Sequence, residues 1–162
     1  MYKNILIPTD GVRTCESAIT HGVELAKAIG AKVTALHTTP KLSPHEILEI
    51  YQPGIITSDA EGKRAQAAME HVEELHKHVA DESLGAIEKI AGEMGVECVK
   101  VYIEGKAPAD AITQTAEDKG CDLIFMSTHG ALGLAGAIFG TVTTKVLSHA
   151  KVPVLINRCD QH

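Results

Sequence analysis

Two stretches of this 162-residue chain gather residue types that handle phosphate and sugar hydroxyls. Near the N-terminus, "ILIPTDG" sets Pro8, Thr9 and Asp10 at the end of an apolar run. Near the C-terminus, "STHGALGLAGAIFGT" places Gly130, Gly133 and Gly140 between Ser127 and Thr141. Glycines there allow backbone N–H groups to turn toward an anion, and Gly140-Thr141 opens an amphipathic run whose free N–H groups and dipole favour negative charge. Thr141, Thr143 and Thr144 add hydroxyl donors, whereas Asp10 is an acceptor for ribose hydroxyls or a ligand for a hard cation such as Mg²⁺. One reading is a nucleotide with its phosphates on the glycine-rich loop. The other is glycines that cap helices and permit close helix–strand packing, and taken alone the glycines fit both about equally.

For the two stretches to meet, particular elements must carry them. Short β-branched runs at "KNILIPT", "KVTALHT", "ECVKVYI", "DLIFMST" and "VPVLINR" alternate with helix-periodic stretches, the pattern of a parallel α/β sheet with helices on both faces. Helices are expected from about Cys15 to Ile29, Glu61 to Met94 with a break or kink at Gly85, Pro108 to Gly120, and Thr141 to Ala150. In such a sheet ligands lie beyond the carboxyl ends of the strands, where the strand order reverses. Asp10 ends the first strand and the glycine-rich loop follows the fourth, so the two face one cleft if those strands are neighbours. The stretch from Thr39 to Asp59, with three prolines and no sustained period, reads as an excursion, either a functional lid or a tolerated insertion.

Composition bounds the rest. One domain over residues 1–162 is expected from the length. Hydrophobic residues at 44% with aromatics at only 3% imply a core of Ile, Val, Leu and Ala. A formal net charge of -6, with Lys and Arg dispersed, argues against a nucleic-acid surface. Cys15, Cys98, Cys121 and Cys159 form no CxxC pair and read as scattered reduced thiols in a cytoplasmic protein. The opening residues resemble no secretion signal, and "GALGLAGAIFG" is far short of the ~20 residues a membrane helix needs, so no membrane insertion is expected. Among the nine histidines, His71, His76 and His78 lack the helical spacing of metal ligands and read as a solvated face.

The run from Ser127 to Ile156 resembles the universal stress protein family, whose nucleotide-binding members carry G-x2-G-x9-G-[S/T] between the fourth strand and the last helix. Here Ser127 stands at the first glycine, followed by Gly130, Gly140 and Thr141. "MYKNILIPTDG", "ALHT", "EGKAPADAI" and "HAKVPVLI" extend the resemblance over nearly the whole chain. It implies a Rossmann-like, adenine nucleotide alpha hydrolase-like sheet of order 3-2-1-4-5, a homodimer paired through the last strands, and an adenine nucleotide, usually ATP, held with Mg²⁺ or Mn²⁺. By position, Pro8, Thr9 and Asp10 would flank the adenosine, with Asp10 also able to meet the metal, and Thr38 would offer backbone groups to adenine. Met126, Ser127, His129, Gly130 and Gly133 would wrap ribose and phosphates. Gly140, Thr141, Val142 and Thr143 would bind phosphate at the helix start.

Two departures stand out. Ser127 brings a Cβ and hydroxyl to a bare-backbone position, strained if its φ is positive. "LGLAGAIFG" lacks the Lys or Arg that many relatives place there, which weakens affinity or selects fewer phosphates. A receiver domain would need paired acids after its first strand; a flavodoxin, aromatics and a Ser/Thr-rich phosphate loop; a Walker-type ATPase, GxxxxGK[ST]; an ATP-pyrophosphatase relative, an SGGxDS-like loop. No nucleophile–base set is legible, so regulatory nucleotide binding is favoured over turnover, with slow ATP hydrolysis aided by His129 the most that catalysis could be. The alternative is a dimeric stress-associated interaction protein that does not hold ATP. Either acts through a regulatory protein partner that the sequence leaves unnamed.

Overall fold

A computed structural model of the chain describes residues 1–11, 16–43, 46, 60–128 and 140–158. Its strands are β1 (Asn4–Thr9), β2 (Lys32–Thr39), β3 (Cys98–Glu104), β4 (Leu123–Thr128) and β5 (Val154–Arg158). Between them run α1 (Glu16–Ile29), α2 (Ala60–Met94), α3 (Pro108–Asp118) and α4 (Thr141–His149). All strand pairs are parallel and the sheet order is β3-β2-β1-β4-β5, so β1 and β4 are neighbours at the point where the order reverses. This is the order that the family resemblance implied.

The sheet buries two apolar layers because successive strand residues point to opposite faces. Ile5, Ile7, Val33, Ala35, Leu123 and Phe125 meet α1 and α2 on one face, through Ile19, Val23, Leu84 and Ile87. Leu6, Leu36, Ile124 and Met126 meet α3 and α4 on the other, through Ile112, Ala116 and Val146. Apolar residues at helical spacing supply these layers, although Leu75 of α2, which shares that spacing, is exposed at 43%. On α1 the stripe ends where Gly30, at φ +70, lets Ala31 N–H reach back to the Ala26 carbonyl at 2.8 Å.

The expected break or kink at Gly85 is corrected in one respect. α2 runs unbroken through it over 35 residues, about 52 Å at helical rise. Leu84 and Ile87 on either side are buried at 4% and 0% exposure. Their burial outweighs the roughly 1 kcal/mol by which glycine disfavours a helix interior. Among the described residues, no helix is long and apolar enough to cross a membrane. The Thr39–Asp59 excursion lies outside the described residues except for residues 39–43 and Glu46.

One end of the β1–β4 seam is clasped and the other is open. At the N-terminal ends, the Asp122 carboxylate accepts from the backbone N–H groups of Lys3 and Asn4 at 2.8–3.0 Å. The Asn4 side chain donates to the Lys119 carbonyl at 3.0 Å and accepts from the Thr34 hydroxyl at 2.9 Å. The β1–β4 ladder then pairs Ile5 with Leu123 and Leu6 with Ile124, whereas β1 and β2 stay paired from Asn4–Lys32 to Thr9–His37. Beyond Leu6 and Ile124 the β1–β4 seam borders a cavity.

Candidate functional site

A cavity of about 220 Å³ opens at the carboxyl ends of β1, β2 and β4. β1 contributes Ile7, Pro8 and Thr9, with Asp10 just beyond its end; β2 contributes Thr38; β4 contributes Phe125, Met126 and Ser127. Helices close the sides: Ala18 and Ile19 of α1, Pro108 and Ile112 of α3, Val142 and Thr143 of α4. Pro8, Thr9 and Asp10 thus share one cavity with Ser127, Val142 and Thr143, whereas Gly140 and Thr141 are not among its lining residues. The largely apolar lining suits a flat heterocycle.

The β1–α1 turn is built by local hydrogen bonding. Gly11 N–H donates to the Thr9 hydroxyl at 3.2 Å, and Gly11 adopts φ +75. A turn of this kind commits Asp10 to the mouth of the cavity. Gly11 is required for a second reason: a Cβ there would lie 2.7 Å from Val79 Cγ1 and 2.8 Å from His37 Cε1.

At the opposite rim, α4 starts at Gly140, whose φ of -66 is ordinary and whose side supplies no capping side chain. Thr144 N–H is the first to bond back into the helix, to the Gly140 carbonyl at 3.0 Å. The N–H groups of Thr141, Val142 and Thr143 precede that first helical bond, the usual orphan donors of a helix start. They carry the positive end of the helix dipole. Ser127 lies within β4, opposite Asn157 of β5, in extended backbone. The strain expected for a positive φ at Ser127 does not arise, and the residue lines the cavity.

The Oγ1 of Thr38 is buried and, among the described residues, has no hydrogen-bond partner; Thr115 Oγ1 on α3 is in the same state, but Thr115 does not line the cavity. A buried hydroxyl left unpaired costs about 1 to 3 kcal/mol, so an orphan beside a cavity marks a place where a polar ligand atom would be stabilised. His129, Gly130 and Gly133 lie outside the described residues.

Charge is sparse. Asp10 is the one ionised side chain among the described cavity residues, and the 129–139 stretch contains neither Lys nor Arg. Burial pushes the thiols of Cys98 and Cys121 up, away from the reactive thiolate, consistent with small core residues. Cys15 and Cys159 lie outside the described residues. Among the described residues no cluster of His, Cys, Asp or Glu could hold a metal by itself.

The universal stress protein family model matches residues 1–158. The chain belongs to the universal stress protein family. Among curated universal stress proteins of Methanocaldococcus jannaschii, MJ0531 is 33% identical over 156 residues, covering 96% of this chain and 82% of that protein. MJ0577 is 31% identical over 160 residues, covering 96% and 94%. The solved structure of MJ0577 superposes with a TM-score of 0.70 at 28% identity, covering 100% of this chain and 99% of that one. A universal stress protein of Archaeoglobus fulgidus, solved in complex with dAMP, shares the fold at TM-score 0.63 and 20% identity, covering 96% and 97%.

Within this universal stress protein fold, several cavity residues escaped the sequence reading. Pro108 read only as a helix start and Ile112 was not singled out, because nothing local shows that α3 begins beside the β2 terminus. His37, which does not line the cavity, also escaped that reading. It is buried at 1% exposure just below the β1–α1 turn, and a lone histidine inside the apolar run "KVTALHTT" was its one visible signal.

Proposed function

We propose that this universal stress protein binds an adenine nucleotide in the cavity at the carboxyl ends of β1 and β4, as a regulatory switch and not as a catalyst of turnover. The observation that carries the reading is the meeting of Asp10, Ser127, Val142 and Thr143 at one cavity whose largely apolar lining includes Thr38, with its unpartnered hydroxyl. A purine edge offers such a hydroxyl both donors and acceptors. The ribose would lie toward Asp10, an acceptor for its hydroxyls, and Met126 and Ser127 would line its other side. The phosphates would lie toward the α4 start, on the N–H groups of Thr141, Val142 and Thr143 and on the 129–139 stretch of sequence with His129, Gly130 and Gly133.

Gly140 supports this placement. Its φ is one that any residue adopts, and a Cβ there would meet no described atom within 4 Å. Packing among the described residues gives no reason for a glycine, whereas close approach of a phosphate does. The same fold accommodates dAMP in the A. fulgidus protein. Mg²⁺ would enter with the phosphates, on their oxygens and Asp10. With no Lys or Arg in the loop, adenosine mono- and diphosphate should bind at least as well as ATP unless Mg²⁺ is supplied.

The test is direct. Nucleotide released from the purified protein by denaturation is identified by ion-exchange chromatography, and melting is followed with adenosine, AMP, ADP and ATP, each with and without Mg²⁺. A ligand of the folded state raises the melting temperature by mass action. Absence of both carried nucleotide and any shift would sink the reading. We also propose a homodimer through β5, which stands at the edge of the sheet with Leu155 40% exposed on it.

A further inference from the structure

His37 does not line the cavity, yet it is fully enclosed by the elements around the β1–α1 turn. Its Nδ1 lies 3.1 Å from the Ser83 hydroxyl of α2. That hydroxyl also lies 2.7 Å from the Val79 carbonyl and 3.2 Å from the Ala80 carbonyl; with its single proton on Val79, Nδ1 carries the hydrogen and donates to Ser83. The ring stacks on Tyr102 of β3 at 6.1 Å between centroids, and the Tyr102 hydroxyl pairs with Thr39 Oγ1 at 2.8 Å. The remaining edge, at Cε1, faces Gly11 so closely that even a Cβ there would not fit.

We propose that His37 is a positioning residue for the nucleotide site: clamped by Ser83 and Tyr102, its Cε1 edge is the floor that fixes the Asp10–Gly11 turn and thereby ties nucleotide binding to α2. This rests on the nucleotide reading above. The mechanism is steric and electrostatic. With Nδ1 spoken for, a second proton can enter only at Nε2, which places a charge in a buried layer beneath the turn. Asp10 faces that charge favourably and His76 of α2 opposes it; burial, the larger influence, holds the ring neutral. Among the described residues, Tyr102 and Ser83 are the other polar groups against the ring, and both already have partners. Acidification therefore disturbs the floor, and through it Asp10.

His37→Asn separates floor from fold, because its amide nitrogen can still donate to Ser83 while the Cε1 edge is gone. The expected result is AMP affinity about tenfold weaker by calorimetry and a Gly11 amide that exchanges about tenfold faster. Between pH 8 and pH 5.5, wild-type affinity should fall more steeply than that of the variant, which shares AMP's own phosphate titration and so controls for it. If the wild type binds AMP and the folded variant matches it in affinity, exchange and pH profile, His37 positions nothing and the nucleotide reading survives. If the wild type binds no adenine nucleotide, that reading fails first and this one with it. Should His37→Asn not fold, wild-type ring ¹⁵N spectra decide. An Nδ1–H tautomer whose protonation tracks the loss of AMP affinity supports the role, and an Nε2–H tautomer or an affinity indifferent to it overturns it.

Discussion

A Cβ placed on Gly11 would lie 2.8 Å from Cε1 of His37, closer than side chains tolerate, and Gly11 also holds φ +75. Gly30 supplies the comparison, since its φ of +70 is similar but nothing lies within 4 Å of where its Cβ would be. Gly30→Ala should cost about 1 to 2 kcal/mol, the left-handed penalty alone. Gly11→Ala should cost about 1 to 3 kcal/mol more for overpacking. Equal losses in urea denaturation would show that the turn relaxes away from His37.

His37 also predicts how stability varies with pH. Burial lowers its pKa below the ordinary value of 6.5, so the unfolded chain binds a proton that the folded chain resists. Its contribution is complete above about pH 6.5 and is lost as pH falls through the folded-state value. Urea denaturation of wild type and His37→Asn between pH 8 and pH 5 should show a steeper decline for the wild type. The carboxylates common to both cancel in the difference.

Thr38→Val removes the orphaned hydroxyl while keeping its shape. Without ligand the substitution should leave stability unchanged or raise it by up to about 1 kcal/mol, because an unpaired buried oxygen is gone. Nucleotide affinity should fall about five- to tenfold, the worth of one hydrogen bond. Loss of stability in the ligand-free protein would mean that the hydroxyl already has a partner within the protein.

Gly140→Val tests the phosphate end. Valine is a poor residue at a helix N-cap, so about 0.5 to 1 kcal/mol of stability should be lost while circular dichroism stays native. AMP affinity should fall at least tenfold as the branched side chain obstructs the approach to the α4 N–H groups. Native spectra with unchanged calorimetry would place the phosphates elsewhere.

The β5 edge predicts a dimer that one charge dissolves. Val152 and Val154 pack on the α3–α4 layer, so substituting them would damage the fold, whereas Leu155 is exposed. Leu155→Lys should shift sedimentation from dimer to monomer at tens of micromolar without changing the urea midpoint of a monomeric reference. A wild-type monomer at that concentration would exclude the interface.

Much of this protein was legible residue by residue. The alternating periods located every strand and helix described, because strand and helix bury apolar residues at spacings that local sequence records, and Gly30 marked the end of α1 as surely in one dimension as in three. Asp10 and the Gly140-Thr141 helix start were legible for the same reason: each is a property of a few consecutive residues. That Asp10 shares one cavity with Val142 and Thr143, just inside that helix start, was not. It depends on β1 and β4 being neighbours and on their ladder ending at Leu6 and Ile124, and strand order is a long-range choice that only the family resemblance anticipated. His37 belongs wholly to the tertiary structure. Its ring takes meaning from Ser83, Tyr102 and Gly11, which lie 46, 65 and 26 positions away along the chain, and no local pattern can encode contacts at such separations.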